Sequence, residues 1–135
     1  MLLVDTSAWI ELLAKPARLA IEDVGDLDEI VTCLPVIQEV LQGIRDEASF
    51  RRARESMWSF PIVESPLSPG VFAEAVDLYR AGRRAGITIR SSTDCLIAAC
   101  ALRHGLEVVH VDRDFPAIAR VAPLEQRALK PRRRP

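Results

Sequence analysis

The chain is 135 residues long, 49% apolar and 27% charged, which predicts one domain able to bury a core unaided and excludes a disordered chain, a disulfide scaffold and a fibrous repeat. Eighteen basic and nineteen acidic residues give a net charge of −1, which at face value argues against a nucleic-acid partner. The mean hides a split, because residues 1–47 carry ten acids against three bases and residues 48–135 carry nine against fifteen.

Leu2-Leu3-Val4 is a continuous apolar run ending at Asp5, as expected of a strand buried on both faces. The opening MLLVDTSAW has neither a basic segment nor a cleavage site, so it reads as this strand and not as a leader. Thr6 or Ser7 is expected to cap a helix through Leu13. Pro16 to Glu29 is acidic and partly helical, and Ile30 to Leu34 is a second strand. Pro35 suits the first turn of a helix running to about Arg45. A further helix covers about Ala48 to Trp58, and Pro61 to Val63 is a short strand. Ser68-Pro69 opens a long amphipathic helix to about Arg84, with Val71, Ala75, Leu78 and Tyr79 at helical spacing. Ser92 or Thr93 caps an apolar helix from Asp94 to His104, stopped by Gly105. Glu107 to Val111 is another buried strand ending at Asp112, and Phe115 to Arg120 is a last helix. Strands alternating with helices predict a three-layer α/β/α sandwich with a mostly parallel central sheet.

No apolar run approaches the roughly 20 residues a membrane helix needs. The odd set Cys33, Cys95 and Cys100 fits reduced thiols, so a cytoplasmic protein is expected.

Two of the buried strands end in aspartate, Asp5 and Asp112. If the strands are parallel, both acids sit on the edge of the sheet where ligands bind. Asp94 opens the helix before the second of these strands, and Glu39 lies within the apolar stretch Val36 to Leu41. Taken singly, each acid has a plain structural reading. Asp94 suits the first turn of a helix, Asp5 a turn, Glu39 an outward helix face, and Asp112 and Asp114 a loop, with Asp114 placed to cap the next helix. Taken together, converging carboxylates need a positive charge between them. With two lysines and two histidines in the chain, the natural neutraliser is an oxygen-seeking cation, Mg²⁺ or Mn²⁺. Such an ion can activate water and offset charge on a phosphodiester.

The segments Val4-Asp5-Thr6-Ser7-Ala8-Trp9-Ile10, Gln38-Glu39-Val40-Leu41-Gln42-Gly43, Thr93-Asp94-Cys95-Leu96-Ile97-Ala98-Ala99 and His110-Val111-Asp112-Arg113-Asp114-Phe115 together resemble the PIN-domain ribonucleases, specifically the VapC-type toxins of bacterial toxin–antitoxin pairs. The resemblance covers residues 1 to about 120. It implies a Mg²⁺-dependent endoribonuclease acting on structured RNA, often a tRNA, and held inactive by a cognate antitoxin. Asp5, Glu39 and Asp94 fall on the family's metal-site acids. The fourth acid falls on Asp112, with Asp114 as the adjacent candidate, and Thr6 or Ser7 falls on the hydroxyl that supports the site. On this reading Asp5, Asp94 and Asp112 hold the metal directly or through water, and Glu39 completes the shell or orients the attacking water. Residues 1–126 are expected to form the nuclease domain and 127–135 a basic, flexible tail, since Lys130 to Pro135 has nothing to bury.

Arginines cluster at 51, 52 and 54, at 80, 83, 84 and 90, and at 132–134. They suit solvated helix faces or a phosphate-contacting rim. Arg90, four residues before Asp94, is the best placed to reach substrate. Trp9 and Trp58 suit packing better than base stacking. Phe72, Val76 and Tyr79 are expected in the core, with a homodimer or antitoxin surface as the other place for them.

Other chemistries fail on residue type. There is no GxGxxG, no glycine before lysine, no HExxH and no zinc spacing among the cysteines. Two rivals remain: a non-catalytic module of the same fold, and a phosphoryl-accepting receiver domain. The receiver needs a late lysine at a strand end, whereas the chain offers only Lys15 and Lys130.

Overall fold

A computed structural model describes residues 1–134; Pro135, the last residue of the expected tail, lies outside the described residues. In chain order the elements are β1 (Leu2–Val4), α1 (Thr6–Leu13), α2 (Ile21–Val24), a 3₁₀ turn (Leu27–Glu29), β2 (Ile30–Cys33), α3 (Leu34–Gln42), α4 (Glu47–Ser59), β3 (Ile62–Val63), α5 (Pro69–Arg84), α6 (Ser92–His104), β4 (Glu107–His110), α7 (Asp114–Ala119) and β5 (Gln126–Ala128). The expected sandwich is what forms: one five-stranded sheet, parallel throughout, in the order β3-β2-β1-β4-β5, flanked by helices.

Burial follows from that order. Every residue of β1 and β2 is buried, and so are Val108, Val109 and His110 of β4, whereas the edge strands β3 and β5 hold no buried residue. Only unbroken apolar runs can fill the middle of a sheet covered on both faces. Leu3 is fully buried, so Leu3→Ala is expected to cost about 2–5 kcal/mol through the cavity it leaves.

The strand order also fixes where a ligand can bind. The chain lays down β2 and β3 on one side of β1, then returns to place β4 and β5 on the other. Right-handed crossovers in opposite winding directions send their helices to opposite faces. A crevice therefore opens at the carboxyl ends of β1 and β4, where the order reverses. β1 and β4 are direct neighbours, with Val4 opposite Val109.

Several local expectations change. Asp5 is the N-cap of α1, in place of Thr6 or Ser7, and its carboxylate accepts the Ser7 N–H. α3 stops at Gln42, short of Arg45, with Gly43 as its cap. The N-cap of α6 is Ser91, and its side chain makes no cap hydrogen bond. Ile89 is buried against α5, where a Cβ on Gly82 would lie 2.7 Å from Ile89 Cδ1. Phe72, Val76 and Tyr79 are exposed, and Arg83 lies over the Tyr79 ring. Trp9 is buried and packs against Phe60, whereas Trp58 is exposed.

The boundary expected at residue 126 falls inside β5, which pairs with β4 through Ala128 opposite His110. Beyond it, the Arg132 N–H donates to the Arg18 carbonyl at 2.8 Å, and Arg18 Nε returns a bond of 2.8 Å to the Arg132 carbonyl. Bonds to the tail's own backbone groups need no apolar side chains there, so composition gave no sign of them. Cys33, Cys95 and Cys100 are free and buried. Among the described residues no helix is long and apolar enough to cross a membrane.

Candidate active site and metal centre

Asp5 follows β1 directly, and Asp112 follows β4 by two residues, so the parallel pairing of these strands carries both acids to the same crevice. Asp94 reaches it from the first turn of α6. One carboxylate oxygen from each of Asp5, Asp94 and Asp112 lies within 4.8 Å of the others. Asp5 and Asp94 are buried, at 2% and 6% exposure, and Asp112 is half-buried. Asp5 Oδ1 and Asp94 Oδ2 are buried without any hydrogen-bond partner. A buried carboxylate oxygen left this way is expensive unless a charge meets it.

The electrostatics agree with the geometry. Burial pushes Asp94 up to about 9, helped by contact with the Asp114 carboxyl and by the charges of Asp5, Asp112 and Asp114. Burial also raises Asp5, against hydrogen bonds from Ser7, and the charge of Asp112 raises it further. Glu39 is raised by burial first, and the charges of Asp5 and Asp112 act in the same direction. Glu39 is half-buried on α3, so it faces the cluster's field without joining the close trio.

The two hydroxyls offered as alternatives serve different acids. Thr6 Oγ1 donates to Glu39 Oε1 at 3.0 Å. Ser7 Oγ donates to Asp5 Oδ2 at 2.6 Å and accepts the Val111 N–H at 2.9 Å. Adjacent helical residues point about 100° apart, so one pair of hydroxyls can address two neighbours. Ser7 ties the start of α1 to the end of β4, and turns Asp5 so that Oδ1 is the free oxygen.

Asp114 takes a place different from the one expected. It is the first residue of α7 and does not cap it; its carboxylate accepts the Arg90 N–H at 2.9 Å and the Ser91 N–H at 2.9 Å. It thereby holds the start of α6, whose own N-cap side chain is idle. Asp112, by contrast, brings an oxygen into the trio, while its Oδ1 accepts the Asp114 N–H at 2.9 Å. Arg90 is anchored by its backbone while its side chain is exposed on the rim. Arg113, between Asp112 and Asp114, is a second exposed rim arginine that sequence reasoning passed over. Its signal was its position between two acids of one turn.

The acidic stretch 22–29, which has no evident role in the sequence, lies away from this crevice and meets the C-terminal arginines. Arg127 donates to the carbonyls of Asp23 and Val24 and to Glu107, and Arg132 Nη2 lies 3.7 Å from Asp23 Oδ2. A reading of the whole C-terminal basic cluster as substrate-facing therefore does not hold for Arg132.

Comparison with known proteins places this geometry in context. Residues 2–121 match the family model for the PIN domain. Ribonuclease VapC11 of Mycobacterium tuberculosis is 39% identical over 132 residues, covering 93% of this chain and 96% of that protein. In fold, the chain is similar to VapBC2 from Rickettsia felis bound to a promoter DNA fragment, with a TM-score of 0.74 at 14% identity over 96% of this chain and 98% of the other. A toxin–antitoxin complex from Klebsiella pneumoniae gives a TM-score of 0.69 at 25% identity, over 93% and 99% of the two chains.

Proposed function

The chain belongs to the PIN-domain family and, within it, to the VapC ribonucleases; from that premise we propose that it is the toxin of a toxin–antitoxin pair, cutting structured RNA at a phosphodiester with a carboxylate-held Mg²⁺, or Mn²⁺ in its place. The trio of carboxylate oxygens within 4.8 Å of one another carries the proposal. tRNA is the first substrate to test.

The donor set fits such an ion. All three donors are carboxylate oxygens, which suit hard cations. Mg²⁺ binds oxygen at about 2.0–2.1 Å, so oxygens roughly 3–4 Å apart can share one ion, and the trio, within 4.8 Å, needs only a small inward adjustment to do so. The unpartnered Asp5 Oδ1 and Asp94 Oδ2 are the atoms with unmet demand for positive charge. Asp5, Asp94 and Asp112 would hold the cation, which when bound supplies Lewis-acid charge at the scissile phosphate and acidifies a water.

The chain's own groups do the remainder. Ser7 fixes the orientation of Asp5, and Asp114 fixes the start of the helix that carries Asp94. Glu39, steadied on one oxygen by Thr6, orients the attacking water. Its raised affinity for a proton suits it to accept one. Arg90, exposed on the rim, contacts a substrate phosphate, where a guanidinium fork suits the oxygens.

The complexes of similar toxins support a protein partner. Ile10 and Leu13 are 57% and 40% exposed and line, with Val40 and Ile44, a groove of about 300 Å³ that reaches Glu39. An antitoxin segment seated there covers apolar surface and the approach to the site together. The exposed stripe of Phe72, Val76 and Tyr79 on α5 is the face we assign to a homodimer. Val76→Asp is then expected to yield a monomer by sedimentation.

The test is cleavage of tRNA and total RNA by the purified chain, with EDTA, Mg²⁺ or Mn²⁺, beside Asp5→Asn and Asp94→Asn. Metal-dependent cuts that vanish in both variants are expected. Full activity in either variant, or activity indifferent to EDTA, would place the chemistry elsewhere; folded, metal-binding protein without cleavage would favour a non-catalytic module.

A further inference from the structure

His110 is fully buried at the end of β4, packed against Phe115 with ring centroids 5.1 Å apart and the planes tilted by 38°. Both of its ring nitrogens are engaged. Nδ1 lies 3.1 Å from the Asp112 backbone nitrogen, and Nε2 lies 2.7 Å from Gln126 Oε1 on β5. A backbone N–H can only donate, so Nδ1 must accept. The ring proton then sits on Nε2 and is given to the Gln126 carbonyl oxygen, which fixes the neutral tautomer without ambiguity.

We infer that His110 is a positioning residue for the acidic site, and that Gln126 and β5 belong to the scaffold that builds it. The bonds run in one line. Gln126 orients His110, and His110 holds the Asp112 N–H. Asp112 Oδ1 holds the Asp114 N–H, and Asp114 holds the N–H groups of Arg90 and Ser91, just ahead of the helix that carries Asp94. The line thus joins two of the three acids of the trio through backbone groups. At the same turn the preceding N–H, that of Val111, goes to Ser7, which holds Asp5. Consecutive amides at the end of β4 therefore set all three carboxylates, one through Ser7 and two through His110. Gln126 lies outside residues 2–121, the span that matches the PIN-domain model. The register of β5 places Gln126 opposite Val108, two residues before His110 and on the same face of the sheet, so its side chain can lean along the strand to the ring.

This inference rests on the metal-site reading, and one set of measurements separates the two. Mn²⁺ affinity is measured by calorimetry on the purified full chain, with thermal unfolding as a check of folding. His110→Phe keeps an aromatic ring against Phe115 but removes both nitrogens, and is expected to weaken Mn²⁺ binding about 10–100-fold, as loss of a hydrogen-bonded partner behind a metal ligand does. His110→Asn places a carbonyl oxygen close to the position of Nδ1 and is expected to restore affinity to within a few-fold of wild type. His110→Gln can meet Gln126 but not the Asp112 N–H, and is expected to bind as weakly as His110→Phe. Should His110→Phe not fold, the contrast between Asn and Gln carries the test. Wild-type affinity in the Phe or Gln variant, or no advantage of Asn over Gln, would overturn the positioning role. Asp112→Asn is the control: undiminished Mn²⁺ binding in it would overturn the metal-site reading and this inference with it.

Discussion

Two acidic regions of this molecule have opposite surroundings. At the carboxyl ends of β1 and β4, the neighbours of Asp94 are other carboxylates, and burial with those charges pushes it up to about 9. In the segment 22–29, Asp23 accepts the Ala20 N–H and lies near Arg132, while the backbone carbonyls of Asp23 and Val24 take Arg127. Glu64 behaves like the second group, for Arg103 and then His104 hold its carboxyl below the usual range. An acid supplied with arginine or amide donors is already satisfied and serves the fold. An acid buried among acids is left wanting a cation, and that deficit marks the site.

The comparison can be broken by exchanging one acid from each region. Asp94→Asn is expected to lower RNA cleavage by at least about 100-fold, whereas Asp23→Asn leaves cleavage per folded molecule unchanged. Equal losses in a gel assay of tRNA fragments would erase the distinction.

The pH dependence of the metal-free protein comes next. The Asp94 carboxyl is raised from 3.8 to about 9, so the folded state holds its proton more tightly than the unfolded chain does. Its stabilising contribution is full below the unfolded value and is lost as pH rises through the folded value. Melting temperatures in EDTA should therefore fall between about pH 4 and pH 9 relative to those of Asp94→Asn, and Mg²⁺ should close the gap. A gap that widens toward low pH would contradict this origin.

Smaller effects test the satisfied region. Arg127→Ala removes donors from Glu107 and two backbone carbonyls, and is expected to cost about 1–2 kcal/mol in chemical denaturation with no loss of cleavage per folded molecule. Arg132→Ala breaks a more exposed pair at 3.7 Å and should cost less than about 0.5 kcal/mol. A larger loss for Arg132 than for Arg127 would mean that the tail is held by its charges and not by its backbone.

Much of the fold was legible because its cause is local. Leu2-Leu3-Val4 and Val108-Val109 are apolar without alternation, a pattern that only a doubly covered strand uses well, and the aspartates that follow them mark where those strands stop. Ser68-Pro69 and Gly105 marked a helix start and a helix stop through their own backbone preferences. Where the cap was a choice among neighbours, as at Asp5, Thr6 and Ser7, local preference could not rank them, since all three are good caps. Tyr79 sat at a helical spacing that fits burial, yet it flanks the buried stripe and lies under Arg83.

By itself, then, the sequence determined a parallel α/β sheet with a small set of acids at its strand ends, because hydrophobic period and chain direction are written in neighbouring residues. The tertiary structure alone decided that Asp112 faces the trio while Asp114 turns to the start of α6, that Thr6 and Ser7 serve different acids, and that Gln126 reaches His110. Each of those depends on which amide or hydroxyl stands within about 3 Å across two elements, and strand register and helix rotation set that distance only once the whole sheet has formed.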